Sequence, residues 1–298
     1  MKPKLSIVFV NYNSADSLRH ALESLSRTQG KVLTEAIVVD NGSRDRSGVV
    51  ELCRQFGARA LTLMHNLGYG AAANRGARLA RADYIAVANP DIVFQAGSIP
   101  ALVRFLDEDP SAGVAGPRLE YPDGTFHPSA RRFPRLRYIL AGRRSPLLRL
   151  WPGYPRAREF LYLGDEDSSA PVRVESIVGT FMVFRRRAFE EIGGFDERFF
   201  MYAEDIDICR RLSGNWGVYM LPGASVMHAV GQSRRRSRLR SEYHRLRSHR
   251  LFFQDGAGEG RRLLLEALFA AYVALFFACR LVGLHEHEYS WARGSKSA

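Results

Sequence analysis

The chain has 298 residues and a net charge of +12, from 43 Lys and Arg side chains against 31 Asp and Glu. Its 46% hydrophobic and 25% charged residues exclude a wholly disordered or collagen-like protein, and its length fits one large domain or two small ones. The excess positive charge predicts an anionic partner, which can be a nucleic acid, phosphate groups or an anionic membrane.

Cysteine usage and the amino-terminal residues favour a cytoplasmic protein. Cys53, Cys209 and Cys279 are widely spaced and follow neither a zinc-binding pattern nor a disulfide framework, which indicates a reducing compartment. The apolar run at residues 5–10 is too short for a signal peptide, so we interpret it as a buried strand.

Strand and helix signals alternate over the first 120 residues. The predicted strands are at residues 5–10, 36–39, 60–64 and 84–88, and the predicted helices are at 15–27, 49–56, 71–81 and 99–106. This alternation is typical of a parallel sheet covered by helices on both faces, so we predict an α/β fold.

The pattern weakens at residues 118–173, where Pro, Gly and Arg are frequent and we predict an irregular insert. Further elements follow: an apolar strand at 174–184, a helix from 187, an acidic helix at 203–212, strands at 218–221 and 225–228, a basic helix at 234–250 and an apolar segment at 263–284. We therefore predict one α/β domain over residues 1–232 and an attached helical tail over 233–298.

Polar groups follow the carboxyl ends of four predicted strands, where ligands bind in open parallel sheets. These groups are Asn11-Tyr12-Asn13, Asp40-Asn41-Gly42-Ser43, Asn66-Leu67-Gly68-Tyr69-Gly70 with Asn74, and Asn89-Pro90-Asp91. The Asp40 carboxylate suits a ribose hydroxyl or a base N–H, and Gly68 lets the backbone approach a phosphate or a sugar closely. One such group alone is ordinary turn chemistry, but four in register favour a common ligand crevice.

The ordered series of motifs over residues 4–232 resembles the inverting GT-A-fold glycosyltransferases of family 2. Besides the strand-end groups, the matching motifs are Gly179-Thr180-Phe181-Met182, the Gly-Gly-Phe-Asp-Glu-Arg-Phe-Phe run at 193–200, Glu204-Asp205-Ile206-Asp207, and His228 with Gly231. The resemblance is greatest to the rhamnosyltransferase-like branch, which builds bacterial surface polysaccharides. It implies a Rossmann-like, mostly parallel GT-A sheet that binds a nucleoside-diphosphate sugar.

The resemblance assigns the strand-end groups to the sugar donor. The implied donor-binding residues are Val10, Asn11, Tyr12, Asp40, Asn66, Gly68, Asn74, Asn89 and Asp91. Asp91 stands at the family's Asp-x-Asp metal motif, in which this chain has Asn89 as the first member, and His228 resembles the distal metal-ligating histidine. The implied cofactor is therefore Mg²⁺ or Mn²⁺ on Asp91 and His228, although a lone histidine at a strand end is ordinarily structural.

The resemblance places the acid–base chemistry at the start of the acidic helix. Asp205 is the implied general base for the acceptor hydroxyl, and Glu204 is implied to assist at the acceptor site. Because the helix dipole also favours carboxylates in a first turn, a capping role is the structural alternative. Gly179 and Thr180 are expected on the acceptor side. Trp216 is expected either to pack or to stack on a sugar, and the insert at 118–173 is expected to shape the acceptor site.

The tail combines a basic stretch with an apolar one. Residues 234–250 contain eight Arg and two His against one Glu, and the uncharged centre of the apolar segment, residues 267–279, is shorter than the roughly 20 residues that a spanning helix needs. We predict peripheral association with the anionic inner face of the cell membrane. Packing or homodimer formation through the apolar helix is the main alternative, and a true span is the least favoured.

The sequence therefore predicts an inverting glycosyltransferase. It would move a sugar, with rhamnose as the candidate, from a nucleoside-diphosphate donor to a hydroxyl group of a lipid-linked or polysaccharide acceptor. A nucleic-acid-binding protein driven by the Arg-rich tail is one alternative, but it leaves Asp40, Asp91 and Glu204-Asp205 unexplained because these carboxylates repel phosphates. A nucleotidyltransferase or an inactive sugar-nucleotide-binding relative is the other alternative.

Overall fold

The computed structural model describes residues 2–28, 30–135, 138, 151, 154–229, 238–255, 258, 260, 265–271 and 274. The strands are β1 (Leu5–Asn11), β2 (Thr34–Asp40), β3 (Arg59–Thr62), β4 (Tyr84–Ala88), β5 (Ile92–Phe94), β6 (Ala112–Glu120), β7 (Phe126–His127), β8 (Ala130–Arg131), β9 (Val172–Arg173), β10 (Ser176–Ile177), β11 (Phe181–Arg185) and β12 (Gly217–His228). The helices are α1 (Ala15–Thr28), α2 (Arg46–Gln55), α3 (Tyr69–Ala77), α4 (Ser98–Glu108), α5 (Pro155–Leu161), α6 (Arg186–Glu191), α7 (Glu204–Leu212) and α8 (Arg238–Gln254).

One mixed sheet of ten strands organises the molecule. Its order is β3-β2-β1-β4-β11-β6-β12-β5, with β7 beside β6 and β9 beside β12. The first four strands in this order are parallel, whereas β11 is antiparallel to both of its neighbours, β4 and β6. The start of β11 therefore lies at the edge where β1, β2 and β4 end, and this edge is where ligands bind in such sheets.

The apolar core lies on both faces of the sheet, because side chains alternate along each strand. On β1, Leu5, Ile7 and Phe9 pack with α1, α2 and α4, whereas Val8 and Val10 pack with α3, α6 and α7. Burial on both faces explains why the sequence of β1 is continuously apolar rather than alternating. The structure thus has the predicted α/β architecture.

The sequence analysis did not predict β5 or β6. β6 contains Gly113, Gly116 and Pro117, which interrupt a strand pattern. A Cβ atom at Gly113 would lie 2.5 Å from the Cβ atom of Trp216, so close packing explains the glycine there. The two strands predicted at 218–221 and 225–228 form one strand, β12, whose pairing with β6 shifts register between Leu221 and Ser225.

Part of the predicted insert forms regular structure against the domain. Residues 118–120 complete β6, and β7 and β8 follow. β8 pairs antiparallel with β10, with Arg131 opposite Ser176. Arg132 N–H donates to the carbonyl of Phe160 at 2.8 Å, which attaches α5 to the segment after β8.

The basic helix α8 packs against the domain. Phe252 is buried in a small apolar cluster with residues that precede and begin α7. The Ser248 hydroxyl donates to the carbonyl of Met201 at 2.8 Å, and the guanidinium of Arg210 donates to Asp255 at 2.7 Å. α8 therefore covers the start of the acidic helix, and the predicted boundary at residue 232 stays a prediction.

The apolar segment predicted at 263–284 lies mostly outside the described residues, of which it contains only 265–271 and 274. The predicted dimer contact through this segment falls there as well. Among the helices that the structure does describe, none combines the length and the apolar character that crossing a membrane requires.

Candidate active site

The hydroxyl group of Tyr69 lies at the carboxyl edge of the sheet, within the electrostatic influence of three acidic side chains. Burial raises the pKa of Tyr69 well above its ordinary value, and the charges of Glu204, Asp205 and Asp91 act in the same direction. The hydroxyl donates to the carbonyl of Gly179 at 2.9 Å. The structure therefore brings the predicted metal ligand and the predicted base to one place.

Tyr69 is a site residue that the sequence analysis did not single out. It stands between Gly68 and Gly70 in one of the strand-end motifs, and an aromatic ring there could have been taken for core packing. Only the fold shows that its hydroxyl contacts Gly179, which is more than a hundred residues away in the sequence.

The Asp205 carboxylate is oriented by two backbone N–H groups. Its Oδ2 accepts from Gly179 and its Oδ1 accepts from Ile206, each at 2.9 Å. The second bond lies within the first turn of α7, as the capping alternative predicts, but the first comes from the turn between β10 and β11. A Cβ atom at Gly179 would lie 3.2 Å from the Cβ atom of Asp205, so glycine permits this close approach.

The acidic helix begins after two residues in the left-handed region, Tyr202 (φ 69°) and Ala203 (φ 63°). This backbone conformation is unfavourable for residues other than glycine, and such strain concentrates at functional sites. It turns the chain sharply so that Glu204 and Asp205 both enter the site from the first turn of α7.

Glu204 is almost fully buried, and its Oε2 has no hydrogen-bond partner within the part of the chain that the structure describes. Burial raises the pKa of Glu204 to about 8, and the neighbouring charge of Asp205 contributes in the same direction. Glu204 therefore carries a proton at neutral pH and can donate a hydrogen bond beside the Asp205 carboxylate.

The predicted metal ligands lie side by side, because His228 at the end of β12 pairs with Ile92, the residue that follows Asp91. Nε2 of His228 lies 3.3 Å from Oδ1 of Asp91, and both side chains are largely buried. Oδ1 of Asp91 and Nδ1 of His228 have no hydrogen-bond partner within the described residues. Two such ligands fit a divalent cation that takes its other ligands from substrate phosphates and water, as Mg²⁺ commonly does.

The described residues contain no group of three or more His, Cys, Asp or Glu side chains that could hold a metal ion by themselves. The turn that carries Asp91 is instead fixed through the backbone. Asn89 N–H donates to the carbonyl of Thr180 at 2.9 Å, and the Asp91 carbonyl accepts from Ala229 at 2.9 Å. This turn therefore joins the start of β11 to the end of β12.

Asp40 is fully buried and already bonded within the protein. Its Oδ1 accepts from Nδ2 of Asn11 at 2.9 Å and from the hydroxyl of Ser43, and its Oδ2 accepts from Ser43 N–H at 3.2 Å. Val10 is buried as well, whereas Tyr12 is 45% exposed. Of these predicted nucleotide-binding residues, only Tyr12 presents a large open surface, so Asp40 would have to exchange a partner to contact a ligand.

Asn66 and Asn74 bond to the protein around the third strand end. Oδ1 of Asn66 accepts from Gly68 N–H at 2.9 Å, and Gly68 has a φ of 94° that favours glycine. The amide of Asn74 both donates to and accepts from the backbone of Phe195 at 2.9 Å. Asn74 thus holds the Gly-Gly-Phe turn in place, which is a structural role that the sequence analysis did not predict.

The structure does not bring Trp216 to this site. Trp216 directly precedes β12, and β12 runs its full twelve residues before it reaches His228 at the site. The tryptophan lies instead beside Gly113 and under the guanidinium of Arg187, at the opposite end of the sheet. Of the two roles expected for Trp216, packing or stacking on a sugar, its position supports packing, because the direction of β12 carries it away from the acidic helix.

Comparison with known families gives matches over most of the chain. The profile of Glycosyl transferase family 2 matches residues 6–193, and the profile of Glycosyl transferase family group 2 matches residues 159–289. The N-acetylglucosaminyl-diphospho-decaprenol L-rhamnosyltransferase of Mycobacterium tuberculosis is 36% identical over 245 residues, which cover 78% of this chain and 78% of that protein. Rhamnosyltransferase WbbL of Escherichia coli is 26% identical over 70% of this chain and 76% of that protein.

Solved structures share the fold at low sequence identity. The mannosyltransferase PcManGT from Pyrobaculum calidifontis, in complex with GDP-Man and Mn²⁺, has a TM-score of 0.60 at 15% identity and covers 98% of this chain and 84% of that chain. GalNAc-T7 with UDP, GalNAc and Mn²⁺ has a TM-score of 0.58 at 17% identity, over 76% of this chain and 44% of that chain. These likenesses confirm the predicted GT-A-type fold.

The raised pKa of Glu204 predicts a pH-dependent stability difference between the wild type and Glu204→Gln. Between the ordinary pKa of a glutamate and about 8, the unfolded chain loses the Glu204 proton but the folded chain keeps it, so wild-type stability falls as the pH rises. Glu204→Gln has no carboxyl group at this position, so its stability does not fall for this reason. Melting temperatures measured from pH 5 to pH 9 should show the variant gaining on the wild type up to about pH 8 and then running parallel.

The exposed Glu108 on α4 offers a matched control, since Glu108→Gln removes a carboxylate that is not buried. A constant difference between Glu204→Gln and the wild type across this pH range would contradict the assignment of a bound proton to Glu204.

Proposed function

The chain belongs to glycosyl transferase family 2, and on that premise we propose that it transfers L-rhamnose from a nucleoside-diphosphate donor to a hydroxyl group of a lipid-linked acceptor sugar. The observation that carries the proposal is the position of Asp205, which is fixed by Gly179, the neighbour of the residue whose carbonyl binds the turn that carries Asp91. The sugar and the acceptor are inferred from two relatives whose names both specify rhamnosyl transfer, one of them to a diphospho-decaprenol acceptor.

The proposed reaction is a single displacement with inversion at the anomeric carbon. The acceptor oxygen forms a bond to that carbon as the bond from the carbon to the donor diphosphate breaks, and the nucleoside diphosphate leaves with the electron pair. Asp205 takes the proton of the acceptor hydroxyl. The two backbone N–H bonds to its carboxylate fix the direction in which it receives this proton, which is a large part of general-base catalysis.

Glu204 and Tyr69 complete the surroundings of the base. Because Glu204 keeps its proton at neutral pH, it can donate a hydrogen bond to the acceptor without adding a second negative charge beside Asp205. Tyr69 keeps its own proton and donates a hydrogen bond to the carbonyl of Gly179. This bond fixes the turn that orients the base.

Asp91 and His228 are the residues that would hold a divalent cation, Mg²⁺ or Mn²⁺. A bound cation supplies positive charge to the diphosphate leaving group. The fixed turn at Asn89 to Asp91 and the end of β12 keep the two ligands together, so these residues bind and orient rather than react.

We further propose that α8 attaches the protein to the anionic inner face of the cell membrane. Tyr243, Arg247 and Arg250 are exposed and recur at the spacing of one helix face, where Arg250 also donates to Glu266, while Ser248 and Phe252 on the other side of the helix are buried against the domain. Basic and aromatic side chains on one exposed face suit a surface of anionic lipid headgroups, where a membrane-bound acceptor is also found.

Asp205→Asn tests the base. The substitution keeps the size of the side chain but removes its ability to take a proton, so we expect turnover to fall by a factor of about 10² to 10⁴. Donor binding, measured as the rise in melting temperature with added sugar nucleotide, should be unchanged. A variant that turns over at the wild-type rate would remove Asp205 from this role.

Asp91→Ala tests the cation site. A ligand that binds the folded state raises its stability, so a screen of sugar nucleotides with and without Mg²⁺ or Mn²⁺ reports donor and metal together. We expect the metal to increase the donor-dependent rise in melting temperature for the wild type and to have no such effect on Asp91→Ala. The exposed Asp16 supplies the control Asp16→Ala, and an unchanged metal effect in Asp91→Ala would refute the assignment.

Arg247→Glu tests the membrane surface. With vesicles rich in phosphatidylglycerol, charge reversal of one exposed arginine should lower the partition coefficient by roughly five- to thirtyfold, since each basic residue contributes about 1 kcal/mol near such a surface and the new carboxylate is repelled by it. Arg104→Glu is the control, because Arg104 is exposed on α4 across the sheet. Equal losses in both variants, or none in Arg247→Glu, would argue against α8 as the binding face.

A further inference from the structure

Arg131 borders the acceptor side of the candidate base. It is on β8 opposite Ser176 of β10, and the chain that leaves β10 reaches Gly179, whose N–H holds Asp205. The Ser176 hydroxyl donates to the carbonyl of Arg131 at 2.8 Å, so the position of the arginine backbone is fixed relative to the strand that orients the base.

The guanidinium of Arg131 has no hydrogen bond and no ion pair with any side chain in the described part of the chain, unlike its neighbours. Arg132 and Arg135 both lie beside the carboxylate of Glu175, at 3.6 Å and 2.9 Å. Arg131 is partly exposed, and none of its nitrogen atoms is among the buried polar atoms that lack a partner. Its donors therefore face open space rather than a protein acceptor.

None of the titratable groups near Arg131 in the described residues pairs with its guanidinium, so its charge can bind a ligand. Its charge acts on Glu204, Cys209 and His249, which belong to α7 and α8. Glu204 is protonated at neutral pH, and burial lowers the pKa of His249 to about 4, so that this ring is neutral. Asp205 is the other nearby acid, but its two oxygen atoms already accept from backbone N–H groups.

The position of Arg131 distinguishes it from the donor side of the site. Asp91 and His228, which fit the cation of the donor diphosphate, follow β4 and end β12, whereas the charge of Arg131 acts on the residues of the acidic helix and of α8 that covers it. Because β10, the partner strand of β8, packs against the acidic helix, an anion bound by Arg131 would lie on the side of that helix rather than at the Asp91–His228 pair.

We propose that Arg131 binds the phosphate group that joins the acceptor sugar to its lipid, and that it makes the enzyme selective for a phosphorylated acceptor. A guanidinium matches phosphate oxygens with two parallel N–H donors, and such a charged contact is stronger than a neutral hydrogen bond. This inference rests on the proposed transfer to a lipid-linked acceptor, and it adds the residue that recognises the phosphate linkage.

The test compares two soluble acceptors with the full-length protein. Both carry N-acetylglucosamine on the same short alkyl chain, one through a diphosphate and the other through a simple glycosidic oxygen. We expect Arg131→Gln to raise the KM for the diphosphate acceptor by about tenfold to a hundredfold, the usual range for a lost charged hydrogen bond. The KM for the glycoside and the KM for the donor should change less than twofold, and Arg131→Lys should restore part of the selectivity.

Arg135→Gln is the matched control, since Arg135 is a nearby exposed arginine that already pairs with Glu175. Equal effects of Arg131→Gln on both acceptors, or an effect on the donor KM alone, would overturn the inference. So would a loss of binding to phosphatidylglycerol vesicles with an unchanged acceptor KM, because the phosphate would then be a membrane headgroup. A wild-type protein that hydrolyses the donor but transfers to neither acceptor would overturn the proposed acceptor, and the inference with it.

Discussion

The peptide of Gly179 is the contact on which the site depends. Its N–H orients the Asp205 carboxylate, and its C=O accepts the hydrogen bond from Tyr69. One residue therefore links the third strand end of the parallel half of the sheet to the acidic helix. The link is possible because β11 runs antiparallel to β4, so that the chain just before β11 arrives where the parallel strands end.

Charge is distributed so that the acidic helix can carry three carboxylates in its first turn. Asp207, which is buried, is neutralised by Arg210 and Arg211 at 2.9 Å and 2.8 Å. Burial raises the pKa of Glu204 to about 8, so Glu204 is neutralised by a proton, whereas Asp205 accepts from two backbone N–H groups. Arg210 also bonds to Asp255 beyond α8, so the same ion-pair network that compensates the helix attaches the basic helix to it.

The sequence predicted the architecture, and it offered candidate site residues in the motifs at the strand ends, because both depend on local patterns. Continuous apolar strands such as β1, and polar motifs at their ends, are visible without the fold. The analysis missed contacts that join distant segments, such as the Tyr69 hydroxyl with Gly179. The hydrogen bonds of Asn74 to the backbone of Phe195 could not be predicted either, because a motif does not show whether an amide binds a ligand or the protein backbone. The sequence alone could not decide between packing and sugar stacking for Trp216, because the length and direction of β12 become known only when its pairing with β6 is known.

Because α8 packs on the start of the acidic helix, the candidate base lies close to any surface that the outer face of α8 contacts. The buried face of this helix contacts the residues that begin α7, and Tyr243, Arg247 and Arg250 point the other way. Only the thickness of one helix, about 10 Å, separates these two faces. If α8 binds the membrane as proposed, a substrate anchored in that surface need not be withdrawn from it to reach the base, and removal of the helix would remove both the membrane contact and the cover over the start of the acidic helix.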